Sequence, residues 1–202
     1  MTRPSISYPP LRIEDLVYII LKEGERMEKL KLILPTMEYA GQIMAYKEEM
    51  KSADSSMDGC GALRHCETAE EWLAHNALYT DPATLPEGKV LATQFLTVRE
   101  ADNKLVGMLQ VRHTLNDYLR QFGGHIGYSV RPSERRKGYA TEQLRQALLW
   151  CREELGLDKV MITCYDTNEP SRRTILKAGG IYEGTAPEPD TGRKLERYWV
   201  AL

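Results

Sequence analysis

Residues 130–144 read VRPSERRKGYATEQL and place Arg135, Arg136 and Lys137 directly before Gly138 and an amphipathic run. A helix starting at such a glycine presents several backbone N–H groups without intrahelical partners, and its dipole favours an anion. Gly138 would let a ligand approach the main chain closely. Each dipole contact contributes only about 0.3–1 kcal/mol, so affinity requires several N–H donors acting with Arg135, Arg136 or Lys137. Three readings are open at this point. The cluster is a solvated turn, a nucleic-acid patch using Arg131 as well, or a cradle for the phosphates of a small ligand. GxxxxGKS/T and GxGxxG are both absent, which removes the P-loop and the dinucleotide fingerprint.

Composition narrows these choices. The 202 residues carry a formal net charge of −2 and a pI near 6.1, so no global basic field holds the chain to nucleic acid or anionic lipid. The basic cluster must act locally. Cys60, Cys66, Cys151 and Cys164 lack CxxC spacing and only His65 lies near the first pair, which argues against zinc. No metal is expected. Four reduced thiols, no signal-peptide pattern and no apolar run of spanning length make a soluble cytoplasmic protein the expectation.

The elements that would position the cluster follow from periodicity. KLKLILPT (29–36) alternates as a strand, and residues 37–50 carry apolar side chains at helical spacing. Residues 51–66 are small and polar, as in a loop, and Thr68 with Glu70 and Glu71 marks a capped helix start. VLATQFLTVRE and KLVGMLQVRHTL, joined by ADN, suit an antiparallel hairpin. HIGYSVRP is a short strand stopped by Pro132. A long helix runs from Tyr139 to near Gly156, and KVMITCYD is a nearly continuous apolar strand of a covered sheet. A helix over 170–178 and two closing strands complete an α+β or mixed α/β domain. Asp117 and Glu134 read as ordinary turn residues. Residues 27–202 form one domain. Residues 1–26 have two readings: an N-terminal arm, or translated upstream sequence before a native start at Met27, since Lys22-Glu23-Gly24 can be encoded by a purine-rich ribosome-binding run.

With these elements in place, Arg135, Gly138 and Ala140 match the pattern Arg/Gln-x-x-Gly-x-Gly/Ala, which resembles the acyl-CoA-binding signature of the GNAT superfamily of N-acyltransferases. DTNEPSRRTILKAGG, after the apolar strand, resembles that family's Asn-x-x-Ala/Ser segment through Asn168 and Ser171. The resemblance covers nearly everything after Met27 and extends to an uncharacterised branch of predicted acetyltransferases. It implies a central, mostly antiparallel twisted sheet flanked by helices, with a splayed strand pair admitting the cofactor. It also implies acetyl-CoA as acyl donor, held by Ser129, Val130, Arg135, Arg136, Lys137, Gly138, Tyr139, Ala140, Thr141, Asn168 and Ser171. Capping a helix is the structural role open to Asn168.

Such chemistry is direct attack of a primary amine, of a small molecule or peptide, on the thioester. An alkylammonium with a pKa of about 10.4 must first lose a proton. His125 and His113 are the candidate bases, because histidine titrates near neutrality, and a backbone N–H near Val130 would meet the oxyanion. Many family members carry a tyrosine acid seven positions after the asparagine; here that position is Ile175, leaving Tyr128 and, more weakly, Tyr165 as acids. Glu70, Glu71 and Asp117 could attract a cationic amine, and the insert 116–124 could border the acceptor. The rival reading is a non-catalytic acyl-CoA-binding sensor. No nucleic acid or membrane partner is expected. The sequence leaves the oligomeric state open, and the resemblance, in a family where dimers are frequent, admits a homodimer.

Overall fold

The computed structural model describes residues 28–189 and 191–202; both readings of residues 1–26 fall outside that range. β1 (Leu30–Ile33), β2 (Ala92–Arg99), β3 (Lys104–Arg112) and β4 (Ile126–Val130) make one antiparallel sheet in that order. β5 (Lys159–Tyr165), β6 (Ile181–Pro187) and β7 (Lys194–Ala201) make a second, with β7 in the middle. Four helices accompany them: α1 (Ala40–Ser52), α2 (Ala69–Ala77), α3 (Tyr139–Leu155) and α4 (Glu169–Lys177). The expected α+β architecture, mostly antiparallel and flanked by helices, is therefore present. No helix among the described residues is long and apolar enough to cross a membrane.

Local chemistry explains the boundaries. Thr68 Oγ1 accepts the Glu71 N–H at 3.2 Å, while the Glu71 carboxylate accepts the Glu67 N–H at 2.6 Å, a reciprocal cap that starts α2. Gly156, at φ +62°, ends α3 in the left-handed region, where glycine carries no Cβ penalty. The β2–β3 turn uses Asn103 at φ +55°. Alternation along the strands then divides the apolar residues between two cores. Leu96, Leu105 and Met108 pack with Tyr46, Met50, Leu63 and Trp72 beneath α1 and α2. Phe95, Leu109, Val111 and Ile126 pack with Leu144, Cys151, Ile162 and Ile175 beneath α3 and α4.

Glu134 is no ordinary turn residue. It is buried and receives Arg99 at 2.8 Å, Lys104 at 2.6 Å and Lys137 at 2.6 Å. Arg99 also pairs with Asp102 at 2.6 Å and reaches the Tyr139 hydroxyl at 3.0 Å, and that hydroxyl also bonds Glu28. This network fixes the turn before α3 to the β2–β3 hairpin. Burial alone pushes the Glu134 carboxyl up, and hydrogen bonds from Lys104, Lys137 and Arg99 outweigh it, bringing its pKa down to about 2. A depressed carboxyl stabilises the fold above its unfolded value and loses that contribution as pH falls through the folded one. Glu134→Ala should cost about 2 kcal/mol in urea unfolding at pH 7, because it removes the buried carboxylate that receives three cations, while Asp102 keeps Arg99 paired. The gap between variant and parent should narrow as pH falls from 4.5 towards 2.

Candidate functional site

The two sheets touch along β4 and β5, and only near the start of each strand. The His125 N–H donates to the Met161 carbonyl at 2.7 Å, and the Met161 N–H donates to His125 Nδ1 at 2.9 Å. Beyond that junction no main-chain hydrogen bond joins the strands. The ladders on either side determine what faces the gap. The Arg131 N–H bonds the Val106 carbonyl at 3.0 Å and the Arg112 N–H bonds the His125 carbonyl at 2.7 Å. Alternate residues of an antiparallel strand face the same neighbour, so the main-chain groups of Tyr128 and Val130 turn away from β3. On β5 the Leu202 N–H bonds the Asp158 carbonyl at 2.9 Å, which turns Thr163 and Tyr165 away from β7. The gap is therefore walled by peptide groups that no strand satisfies, which suits a ligand carrying amides of its own.

At the mouth of this gap the backbone curls before α3. Arg136 lies at φ +67° and Gly138 at φ +85°, and left-handed residues alternating with others make successive N–H groups converge into an anion-binding nest. The N–H groups of 136–140 have no partner among the described residues. The cations of the turn have separate roles. Arg131 is buried against Glu49 at 2.6 Å, and Lys137 is paired with Glu134. Arg135 joins the Val130 carbonyl, at 3.0 Å, to Ser55 Oγ, at 2.9 Å. Arg136 is exposed, lines the cleft and has no ion pair among the described residues.

Several residues proposed for cofactor contact do structural work as well. Tyr139 is buried through its ring, so its N–H is what it offers the nest, beside Ala140 and Thr141. Asn168 Oδ1 accepts the Ser171 N–H at 3.2 Å and caps α4. Ser129 Oγ accepts from the Tyr46 hydroxyl at 3.0 Å and donates to the Asp58 carbonyl at 2.7 Å. The Gly59 carbonyl is held by Gln94 Nε2 at 2.7 Å, and the Cys60 carbonyl by Trp72 Nε1 at 2.8 Å. Three consecutive carbonyls of loop 54–61 are thus held, one from β4, one from β2 and one from α2. Gly59 sits so close that a Cβ there would meet the Gly127 carbonyl oxygen at 2.2 Å.

Together these pieces enclose a cleft of about 1230 Å³. One end is the nest. The other is bordered by loop 54–61, by Gln110 and Arg112 of β3, by the π-helical turn Leu119–Gly123, and by Tyr165 with Glu188. Carboxylates that line it and were missed in the sequence include Asp54, Asp58 and Glu188, the last accepting from the Tyr165 hydroxyl at 2.9 Å. Glu70, Glu71 and Asp117 do not line it.

Neither histidine lines the cleft. His113 Nε2 lies 2.9 Å from Thr93 Oγ1 and its ring packs near Trp150; burial lowers its pKa. His125 is buried at the strand junction. Burial, followed by the nearby charges of Arg112 and Arg120, brings its pKa down to about 4. Tyr128 does line the cleft, and its hydroxyl lies 3.0 Å from Ser171 Oγ on α4. Burial pushes its pKa up to about 12, so the phenol keeps its proton at neutral pH. Ile175 points into the core and is fully buried.

Residues 32–181 match the family model of the acetyltransferase (GNAT) domain. The chain belongs to the GNAT acetyltransferase family. It is 34% identical over 70 residues to the uncharacterized N-acetyltransferase YnaD of Bacillus subtilis, a match covering 33% of this chain and 41% of that protein. Its fold is similar to the ribosomal-protein-S5-alanine acetyltransferase of Vibrio fischeri, with a TM-score of 0.66 and 17% identity over 87% of this chain and 94% of that one. RimJ of Mycobacterium smegmatis, solved in complex with CoA-disulfide, gives 0.63 and 18% over 86% and 82%.

The His125 geometry yields a pH signature. A histidine whose folded pKa is depressed destabilises the fold wherever the unfolded chain binds the proton and the native one resists it. Stability should therefore fall as pH drops from 6.5 towards 4. His125→Gln, which keeps an acceptor for Met161, should flatten that part of a melting-temperature profile.

Proposed function

We propose that this protein is an acetyl-CoA-dependent N-acetyltransferase acting on a primary amine by direct attack. The observation that carries the reading is the unpaired stretch of β4 and β5, which runs from the nest at 136–140 towards the carboxylates at the far end. Bound acetyl-CoA would supply a thioester, so that an alkylammonium becomes an amide, a thiol is formed and one proton is released.

The fit rests on the donor set. Free N–H groups of 136–140, with Arg136 beside them, suit a pyrophosphate. The unpaired peptide groups of Tyr128 and Thr163, with the Val130 N–H, suit the amides of pantetheine, and Ser171 and the Asn168 cap border the same space. Of the proposed cofactor residues, Ser129 acts by clamping loop 54–61, Lys137 by supporting the turn through Glu134, and Arg135 by tying the strand to the loop.

At the acceptor end Asp58 takes the part considered for the histidines. It draws the alkylammonium to the opening of the strands, and the proton leaves through the open rim. Tyr128 supplies the phenol that Ile175 cannot, from the facing strand, and its retained proton makes it the donor to the departing sulfur. His125 holds the strand junction, and His113 packs against the far core. The four cysteines are buried and free, in keeping with a reducing cytoplasm.

The test is thiol release from acetyl-CoA across a panel of amines, polyamines, aminoglycosides and peptides. Asp58→Asn should lower kcat/KM by about 100-fold, in the range expected for loss of proton-transfer assistance. Tyr128→Phe should lower kcat by at least about tenfold and leave acetyl-CoA affinity unchanged, whereas His113→Ala should leave both near the parent values. Tight CoA binding with no thiol released by any amine would instead favour the sensor.

A further inference from the structure

Acetyl-CoA does not account for the cation at the acceptor end. Gln110 and Arg112 are two residues apart on β3, so they project from one face. That face is opposite the one carrying Leu109 and Val111, which belong to the core under α3. Gln110 and Arg112 line the cleft instead. Arg112 Nη1 donates to the carbonyls of Gly123 and Gly124, at 3.0 and 3.2 Å. Its Nη2 lies 3.6 Å from the point where a Cβ on Gly127 would stand. A side chain at 127 would crowd that nitrogen and the Gly59 backbone beside it, and Nη2 has no hydrogen-bond partner among the described residues.

Its treatment differs from that of the other enclosed arginines. Arg99, Arg131 and Arg172 each have a carboxylate within 2.6–2.8 Å. Arg112 has no ion pair among the described residues. A guanidinium is charged at any physiological pH, and its planar fork matches a carboxylate or phosphate with two parallel bonds. Across the same chamber stands Asp58, exposed and carried by the loop clamped over Gly127. Gly61 and Gln110 also line the chamber, and polar side chains stand behind Gly61. Gly61 lies where a Cβ would meet Asn76 Oδ1 at 2.9 Å and Gln110 Nε2 at 3.5 Å, and the buried Asn76 Nδ2 and Gln94 Oε1 have no hydrogen-bond partner.

We infer that the acceptor is a small primary amine that also carries an oxyanion, a carboxylate or a phosphate, with Arg112 receiving the anion while Asp58 holds the ammonium. This rests on the acetyltransferase reading of the same cleft. It gives Arg112 a specificity role: a purely cationic polyamine would set a second charge against the guanidinium, and a neutral amine would leave its planar fork without an oxyanion to bond.

The experiment compares matched pairs in the thiol-release assay: glycine with glycinamide, β-alanine with β-alaninamide, and phosphoethanolamine with ethanolamine. Anionic members should be favoured at least tenfold in kcat/KM, and the better of the carboxylate and phosphate series identifies the anion. Arg112→Gln keeps a donor for the Gly123 and Gly124 carbonyls, and it should reduce the anionic-to-neutral ratio at least tenfold, mainly through KM. Arg112→Lys should retain part of the preference, which gives a second reading should the glutamine variant fold poorly. Comparing the ratio between variant and parent cancels differences in amine basicity. A purely structural Arg112 would lower both members of each pair equally, and that result overturns the inference. So does equal use of neutral amines by the parent, or a peptide without a nearby oxyanion outperforming every anionic amine. If no amine releases thiol, the acetyl-transfer reading falls by itself. Calorimetric binding of the same pairs then decides: tighter binding of the anionic members, lost in Arg112→Gln, supports the anion site, and equal or absent binding overturns it.

Discussion

Everything about the cleft depends on β4 and β5 being fastened at one end and unpaired beyond it. The fastening is the His125–Met161 junction, in which a main-chain bond is doubled by a bond to the imidazole. Each strand also has a firm ladder on its other side, β3 for β4 and β7 for β5, so neither can rotate to satisfy the other. The exposed peptide edges that result would be a liability in a closed sheet. Here they line a cavity and give an amide-bearing ligand a place to bond.

Two further constraints keep that opening in shape. The buried Glu134 gathers Arg99, Lys104 and Lys137, and so anchors the turn whose left-handed residues form the nest. Of the charge that looked in the sequence like a basic surface, Arg131 and Lys137 are each paired with a carboxylate. On the opposite wall, Ser129, Gln94 and Trp72 grip the carbonyls of 58, 59 and 60. The glycines at 59 and 127 allow that loop to lie directly on β4, and the loop brings Asp58 to the strand opening. Structural polar groups and proposed catalytic groups thus occupy alternate positions along the same short strand: Ser129 faces the loop, and Tyr128 and Val130 face the gap.

The departure at Ile175 has a simple structural counterpart. With an aliphatic side chain there, α4 seals its core, and the phenol that reaches the start of α4 comes from Tyr128 on the facing strand, 3.0 Å from Ser171 Oγ. The phenolic hydroxyl beside Ser171 is therefore delivered from β4. The residue count along α4 misses the delivery from β4, because proximity across the gap is a tertiary property.

The sequence by itself determined a good deal. Alternation fixed the hairpin and the strand order of polarity, Gly156 and Thr68 marked helix ends, and Arg135, Gly138, Asn168 and Ser171 carried the family resemblance. These signals are local: each depends on backbone conformation or spacing within a few residues. What the tertiary structure alone decided is which charges are free and which are engaged. Arg131, Lys137 and Arg136 are near neighbours with the same formal charge, yet the first two are neutralised by Glu49 and Glu134 and the third is open. His125 and His113 have the side chain suited to a base, yet His125 Nδ1 accepts from the Met161 N–H, His113 Nε2 lies beside Thr93 Oγ1, and neither lines the cleft. Asp58 and Arg112 are 54 residues apart and carried no motif. Only the loop lying on β4 brings them into one chamber, because electrostatic partnership depends on distance in space and on burial, neither of which is written in the order of residues.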